Sequence, residues 1–339
     1  MRLRLLVVAI SGLALTPVAG SASDRYVLWS ARTAGAPSVP AHVLPADLDS
    51  VPQGSAIVVD RTVGGRLAVA TRDQVVLENL DGSGRVVLPV AGVYDGRFSP
   101  DGSQLALAST ACETGELVCL KLSIVDSDGG DLRTFPKPAG TARWFDNRTL
   151  AYVRNVGTDG IGTLVVGDAN GRVLRVLGRS LAQPYVGPAT SPNRKLVADQ
   201  CRAQLVCVRS TGVPSNVVAR FPGALTAPSL WSPDGSRIAL TLAGNYTSRT
   251  VVGIVRTSRL KVISSPLYIH TEDTIIGWSP DSTTVLIQRR CFGADFCKDD
   301  VFSDVVSTHA RRRLTHDDLK WESVRWARAS LTYVTPPDE

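Results

Sequence analysis

The feature that most constrains the fold is a short repeated segment of an aromatic residue, a turn and an apolar run. Its clearest copies occupy residues 98–107, 231–240 and 278–287, and each begins with Phe or Trp followed by Ser-Pro-Asp. Proline presets φ at about −65°, Asp can hydrogen-bond the backbone ahead of it, and Gly takes a position with positive φ. The apolar run that follows is typical of a buried strand. The repeat therefore predicts antiparallel strand pairs joined by tight turns.

Weaker copies of the same segment set the spacing of the repeat. They lie at 143–153, 190–198 and 325–334, and the six anchor positions 98, 144, 190, 231, 278 and 326 are 41 to 48 residues apart. A period in the forties with strand-rich content is typical of propeller blades. Helical repeats would show a 3.6-residue period and few turn formers, whereas this chain has 29 Gly and 20 Pro. We therefore predict an all-β fold, a single β-propeller.

The segments around the repeats predict the number of blades. Full blades should begin near each of the five anchors from 98 to 278, and strands near 55–59, 66–70, 74–78 and 85–88 form one more. The last copy supplies only two strands, and N-terminal strands at 25–32 and 42–44 would complete that blade and close the ring. We expect seven four-stranded blades in a domain of residues 24–339. Six blades remain the alternative if the N-terminal segment packs outside the ring.

The first residues have the pattern of a secretory signal peptide. Arg2 and Arg4 form a positive start, an apolar run follows from Leu5 to Leu15, and residues 19–23 are small. The apolar run is shorter than the ~20 residues that a membrane span needs. We predict a cleaved signal at residues 1–23, hence a secreted or periplasmic protein of the cell envelope with no stable membrane span.

The cysteines fall into three local pairs with five or six residues between partners. Each pair lies just after the predicted second strand of a blade and at the start of the third, where cross-hairpin positions can come within disulfide range. Zinc sites would need closer spacing and clustered ligands. Such staples would contribute ~2–3 kcal/mol each in the chain-entropy model and indicate an oxidising compartment. The predicted disulfides are Cys112–Cys119, Cys201–Cys207 and Cys291–Cys297.

The charge balance excludes a strongly basic nucleic-acid binder. The full chain has a net charge of +6, and without the predicted signal it falls to about +4. The one dense basic run, Arg311 to Arg313, is interpreted as a solvated hairpin turn. An acidic stretch at 126–131 has no helical flanks and no Glu at the twelfth position, so it predicts an ordinary hairpin and no calcium loop. We expect no cofactor, no metal and a monomeric protein.

The aromatic-Ser-Pro-Asp-Gly repeat resembles the repeat of the TolB-like β-propeller family over residues 50–335. That resemblance implies an exported propeller that binds proteins or small ligands at one face and is not an enzyme. The separate N-terminal α/β domain of TolB itself has no counterpart, because only some 30 residues separate the predicted signal from the first blade. A role in the Tol-Pal envelope system is therefore not implied.

The resemblance makes an exported binding module the leading hypothesis, with an envelope or extracellular protein or a small ligand as partner. Meander geometry places the three stapled loops on one face, and stapling would pre-organise it for binding. The alternative is that the staples only protect the hairpins from proteolysis. The candidate contact residues are Glu113, Glu116, Arg202, Gln204, Phe292, Asp295 and Phe296.

The rival function is an enzyme with its site at the central channel. Serine-peptidase propellers need a G-x-S-x-G segment, which is absent from the sequence. A metal-dependent lactonase-like or lyase-like propeller would need acids, such as Asp273 or Glu322, to converge on the axis. The four histidines are scattered and follow no repeat position.

Overall fold

The computed structural model describes residues 57–313, apart from 62–65, 72, 80–82, 111–119, 183–185, 213–214, 244–247, 265–270, 280 and 292–299. These residues form six four-stranded antiparallel sheets. Each sheet is a meander of consecutive strands, and no α-helix occurs within the described ranges. This architecture is all-β and consistent with a β-propeller. The predicted signal, the strands at 25–32, 42–44 and 326–334, and the ring closure they would provide lie outside the described residues.

The strands of the first three sheets follow the chain in order. Sheet 1 holds β1 (Ile57–Arg61), β2 (Arg66–Ala70), β3 (Val75–Asn79) and β4 (Val86–Leu88); sheet 2 holds β5 (Val93–Phe98), β6 (Gln104–Ser109), β7 (Lys121–Asp126) and β8 (Arg133–Thr134); sheet 3 holds β9 (Arg143–Trp144), β10 (Thr149–Arg154), β11 (Ile161–Asp168) and β12 (Val173–Leu181).

The last three sheets repeat the arrangement, with one 3₁₀ turn at Val255–Thr257. Sheet 4 holds β13 (Ala189–Thr190), β14 (Leu196–Arg202), β15 (Leu205–Ser210) and β16 (Val217–Pro222); sheet 5 holds β17 (Leu230–Trp231), β18 (Arg237–Ala243), β19 (Ser248–Ile254) and β20 (Arg259–Ser264); sheet 6 holds β21 (Thr271–Trp278), β22 (Thr284–Cys291), β23 (Asp300–Val305) and β24 (Arg311–Arg313). The first strands of sheets 2, 3, 4, 5 and 6 all end at their predicted anchor positions, which confirms the repeat as the unit of the fold.

The Ser-Pro-Asp turns satisfy their own polar groups. Ser232 donates to the Asp234 carboxylate at 2.6 Å, which also accepts the Ser236 backbone N–H at 3.0 Å. The fifth position of the repeat has positive φ whether it is Gly235 (70°) or Arg194 (60°). Burial raises the pKa of Asp234, but the hydrogen bonds from Ser232 and Ser236 outweigh it and leave the pKa below its usual value. The turn is therefore built from local hydrogen bonds, as the sequence predicts.

Neighbouring sheets are joined by the repeated tryptophan. The indole N–H of Trp144 donates to the carbonyl of Arg97 at 2.7 Å, and that of Trp278 donates to Leu230 at 2.9 Å. Both side chains are buried. Each carbonyl belongs to the residue just before the anchor of the preceding sheet, so consecutive sheets have the same orientation. These two tryptophans are therefore structural.

The core lies between the sheets, because each central strand buries both of its faces. In β6, Leu105 and Leu107 pack towards sheet 1 and Ala106 packs towards sheet 3. Val206 and Phe221 of sheet 4 pack against Leu240 of sheet 5 in the same way. Face-to-face packing of this kind explains why the strands are continuous apolar runs and do not alternate.

The two ends of the sheets carry different connections. The Ser-Pro-Asp turns and the third-to-fourth-strand turns share one end, which we call the turn face. The second-to-third-strand hairpins lie at the opposite end, which we call the hairpin face. The stretch at 126–131 is the turn between β7 and β8, closed by a 2.8 Å hydrogen bond from Gly129 N to Asp126 O, and the prediction of an ordinary hairpin there is confirmed.

Candidate functional site

One of the three predicted disulfides lies within the described residues. Cys201 and Cys207 are bonded, with sulfurs 2.02 Å and Cα atoms 5.6 Å apart. Both cysteines lie inside the strands β14 and β15, and Arg202 pairs with Leu205 across a two-residue tip. The sequence predicted the pairing and placed Cys207 in the third strand, but it placed Cys201 just after the second strand, so β14 extends further towards the hairpin face than expected. Cys112, Cys119 and Cys297 lie outside the described residues, and Cys291 is described only as the end of β22.

Two of the seven candidate contact residues are described. Arg202 and Gln204 are both exposed at the tip of this hairpin, where a partner at the hairpin face could reach them. That they contact a partner stays a prediction. The other five lie outside the described residues: Glu113, Glu116, Phe292, Asp295 and Phe296.

A buried glutamine ties the hairpin to the connection that leads into sheet 5. The Gln200 side chain is 2% exposed. Its carbonyl oxygen accepts the Leu225 N–H at 2.7 Å, and its amide donates to the Ala203 carbonyl at 3.1 Å. Because both ends of the amide are bonded, the tip residue Ala203 is fixed to the following segment.

An ion pair ties the same hairpin to sheet 3. Arg209 Nε lies 3.1 Å from the Asp199 carboxylate, and the guanidinium also donates to the carbonyls of Leu177 (3.3 Å) and Arg179 (2.9 Å) on β12. Asp199 is directly opposite Cys207 in the strand register. Burial raises the pKa of the Asp199 carboxyl to about 6, although the positive charge of Arg209 acts in the other direction. The disulfide and the ion pair therefore brace the same point of the hairpin.

Gly178 makes room for this ion pair. Its φ is +138°, and a Cβ at this position would lie 2.6 Å from Arg209 Nη1. The guanidinium therefore packs directly on the backbone of β12. Sequence reasoning missed Asp199, Arg209 and Gly178, although one signal was present: Asp199 is the only acidic residue between 169 and 233.

Asp273, one of the two acids named for the alternative channel enzyme, forms an ion pair with Arg289. Asp273 is fully buried and accepts two hydrogen bonds from Arg289, at 2.7 and 2.9 Å, together with one from the Ser264 hydroxyl. Its hydrogen bonds to Arg289 raise the pKa of that guanidinium. Asp273 therefore neutralises a cation between sheets 5 and 6. The second such acid, Glu322, lies outside the described residues.

The basic run at 311–313 is a strand, not a turn, which corrects the sequence interpretation. These residues form β24 and their side chains are exposed. Arg311 nevertheless binds Asp304 at 3.0 Å and the carbonyl of Ile263 in sheet 5 at 3.2 Å. Its guanidinium and that of Arg289 lie over the Phe302 ring, 5.5 and 5.1 Å from the centroid. The cation at 311 thus joins sheets and is not simply solvated.

The described residues contain neither a cluster of metal ligands nor a membrane-spanning helix. No group of three or more His, Cys, Asp or Glu side chains there could hold a metal ion. Nor does that part of the chain contain a helix long and apolar enough to cross a membrane.

The fold and the hairpin define a class of protein, an all-β array of consecutive four-stranded sheets with a disulfide-braced loop at one end. In comparisons with known proteins, no family model matches the chain and no curated protein is a significant match. Function is therefore argued from the geometry.

Proposed function

We propose that this chain is an exported, non-catalytic β-propeller of the TolB-like type that binds a protein or a small ligand at its hairpin face. The observation that carries the proposal is the construction of the hairpin at Cys201–Cys207. A disulfide, a buried glutamine and an ion pair hold its tip, while Arg202 and Gln204 are left exposed. A surface fixed before binding loses less conformational entropy when its partner arrives.

We also propose seven blades, and the burial of sheet 1 supports this number. Ala68 and Ala70 pack on sheet 2, so Leu67 and Val69, which alternate with them, lie on the opposite face. Both are nevertheless 0% exposed. No described strand of sheet 1 packs on sheet 6 as β1 packs on β5. A further blade built from residues 24–56 and 314–339 would cover this face.

Sheet 6 supports the same conclusion from the other side. Val285 and Ile287 of β22 pack on sheet 5, and Leu286, which lies on the opposite face, is also 0% exposed. In a seven-blade ring the composite blade would lie between sheets 6 and 1 and bury both faces. It would also place Trp326 where the repeat predicts an indole hydrogen bond to the carbonyl of Gly277.

Export is supported by the same hairpin. A disulfide persists in an oxidising compartment, and the Cys201–Cys207 bond is compatible with secretion through the predicted signal at residues 1–23. The proposal therefore places the binding face in the periplasm, the cell envelope or the extracellular space.

A capture experiment with matched baits tests the proposed function. The disulfide-intact protein and the Cys201→Ser/Cys207→Ser variant are immobilised and exposed to the envelope fraction of the host, after circular dichroism has shown that both are folded. We expect a partner that is retained by the intact protein and lost or weakened with the variant. Equal retention by both baits would show that binding does not depend on the Cys201–Cys207 disulfide.

Two further outcomes would reverse the proposal. If no partner is retained and a metal ion co-purifies in a 1:1 ratio, the lactonase-like or lyase-like alternative replaces it. If the partner is retained equally well after Arg202→Ala and Gln204→Ala, the contact lies elsewhere on the protein.

A further inference from the structure

One region of this chain is nearly devoid of acidic residues, so its basic residues are not balanced there. Between residues 169 and 233 the sequence has eight Lys and Arg against a single acid, Asp199. The whole chain carries 37 basic and 31 acidic residues, so this segment accounts for its entire positive excess. Asp199 is buried against Arg209 and adds no negative charge to the surface. The eight basic residues are Arg172, Arg175, Arg179, Arg194, Lys195, Arg202, Arg209 and Arg220.

Four of these eight cations lie on the outside of the array, on or next to the outer strands of sheets 3 and 4. Arg175 and Arg179 lie on β12 and Arg220 lies on β16, all exposed. Arg172, also exposed, immediately precedes β12, so from Arg172 to Arg179 the charges extend over roughly 20 Å from the turn face to the hairpin face. We call these four residues the basic strip.

Exposed apolar side chains lie beside the arginines of the basic strip on the same two strands. Val176 is 61% exposed and Leu174 is 45% exposed on β12, and Val218 of β16 is 46% exposed. β12 is the longest of the outer strands at nine residues and pairs only with β11 among the described strands. An edge strand presents backbone donors and acceptors to another extended chain. On β12 the carbonyls of Leu177 and Arg179 already accept from Arg209, so residues 173–176 are the part of the edge that we consider.

We propose that the basic strip, with the edge of β12, binds an extended acidic polypeptide segment whose acidic residues alternate with apolar ones. The cations pair with the carboxylates, Leu174 and Val176 contact the apolar side chains, and the edge backbone pairs with the segment as an added strand. This inference goes beyond the hairpin face and rests on the proposed function only in treating the chain as a binding module.

The observations favour a polypeptide over other polyanions. A membrane surface would engage one flat face, whereas the strip runs across the rim from one face to the other. A phosphate or sulfate polymer would satisfy the arginines but would leave the apolar residues and the strand edge without a partner. Arginine supplies nearly all of the charge, and its planar fork fits carboxylates in two-point contacts.

The side chains chosen for the test have no structural role among the described residues. Arg172, Arg179 and Arg220 form no side-chain hydrogen bond or ion pair with any described residue, unlike Arg175, which donates to the Thr211 carbonyl at 2.9 Å. The variant Arg172→Glu/Arg179→Glu/Arg220→Glu should therefore fold. A matched control with the same charge change is Arg148→Glu/Arg256→Glu/Arg312→Glu, three exposed cations elsewhere.

The probe is a fluorescent ten-residue peptide of alternating Glu and Val, followed by fluorescence anisotropy at low and high salt. We expect saturable binding that weakens with salt, falls at least about tenfold in the strip variant and changes less than about twofold in the control. The same peptide with alternate N-methylated amides should lose binding, because it cannot pair with a strand edge. Val176→Thr, which leaves the charges intact, should weaken it severalfold.

Several results would overturn the inference. They are an absence of peptide binding to the wild type, equal binding by the strip variant and the control, or full binding of the N-methylated peptide. Binding of polyphosphate or of phosphatidylglycerol vesicles, but not of the peptide, would assign the strip to another class of polyanion. Because the probe tests the strip alone, a failure here leaves a partner captured through Cys201–Cys207 unaffected.

Discussion

The indole N–H of Trp231 donates a 2.9 Å hydrogen bond to the backbone carbonyl of Ala189, which lies in the first strand of the preceding sheet. Trp144 and Trp278 form the equivalent bond to the sheets before them. Where the anchor is Thr190, its hydroxyl donates instead to the carbonyl of Trp144 at 3.1 Å. In sheets 3 to 6 the repeat residue that marks the sheet in the sequence is thus also the residue that attaches it to the preceding sheet.

Trp231→Phe should keep most of the apolar contact and remove this hydrogen bond. Because the Ala189 carbonyl then loses a partner, we expect the free energy of unfolding to fall by about 1–2 kcal/mol, measured by urea denaturation. Thr190→Val removes the hydrogen bond from the Thr190 hydroxyl to the Trp144 carbonyl. We expect it to lower the free energy of unfolding by about 1 kcal/mol or less. Unchanged midpoints for both variants would mean that the bond contributes nothing to stability.

Gly178→Ala should be strongly destabilising, because the added Cβ would meet Arg209 at 2.6 Å and the backbone has φ +138°. We expect a loss of at least about 2 kcal/mol in the free energy of unfolding. Gly212→Ala is the matched control, since a Cβ there would meet no atom within 4 Å. Equal effects of the two substitutions would contradict the packing of Arg209 on β12.

Protonation of Asp199 should stabilise the folded protein in mild acid, in contrast to carboxylates whose pKa is lowered on folding. Its pKa is raised from 3.8 to about 6 in the folded state, so the folded protein binds the proton more tightly than the unfolded chain does. The contribution of Asp199 to the free energy of unfolding is therefore fully present below pH 3.8 and is lost as the pH rises through about 6. The size of this contribution is on the order of 2–3 kcal/mol.

The measurement compares the wild type with Asp199→Asn at several pH values. Other carboxylates, such as Asp101, Asp234 and Asp281, have lowered pKa values and destabilise the fold as they are protonated, so the wild-type curve alone is a sum. The unfolding free energy of the wild type should fall relative to that of Asp199→Asn as the pH rises from about 4 to about 6. The difference between the two proteins should be constant above about pH 7. A difference that is constant across the whole range would show that Asp199 does not titrate in this window.

Arg194→Gly should stabilise the turn that joins β13 to β14. Arg194 is exposed and has φ +60°, a conformation that costs a residue with a Cβ about 1 kcal/mol. We expect a gain of about 0.5 kcal/mol, since glycine also increases the entropy of the unfolded chain. The reverse change Gly235→Ala, at the same repeat position and without a close contact, should cost about 1 kcal/mol. A loss of stability on Arg194→Gly would refute the strain at this position.

The repeat predicted the local structure of this protein well, because its turns are built from side chains that are close in sequence. The Ser-Pro-Asp segment predicted where the first strand of each repeat ends and where the second strand follows. The spacing of Cys201 and Cys207 predicted their pairing, because two residues across a hairpin tip have few other partners.

The braces behind the hairpin could not be predicted in this way, because they join residues from different sheets. Gly178 in an apolar strand indicates only a bulge, and nothing near it in the sequence identifies Arg209 as the side chain that occupies its free space. Arg311 was interpreted as a solvated turn residue for the same reason: its partners, Asp304 and Ile263, lie seven and 48 residues away.

Site-specific cross-linking tests the central proposal, binding at the hairpin face, most directly. A photoreactive amino acid is placed at Gln204, at the tip of the stapled hairpin, or at Arg256, exposed in a turn on the opposite face. Both proteins are expressed in the host and irradiated in intact cells. The account predicts a discrete cross-linked partner from position 204 and none from position 256. A partner cross-linked from position 256 and not from position 204 would contradict it.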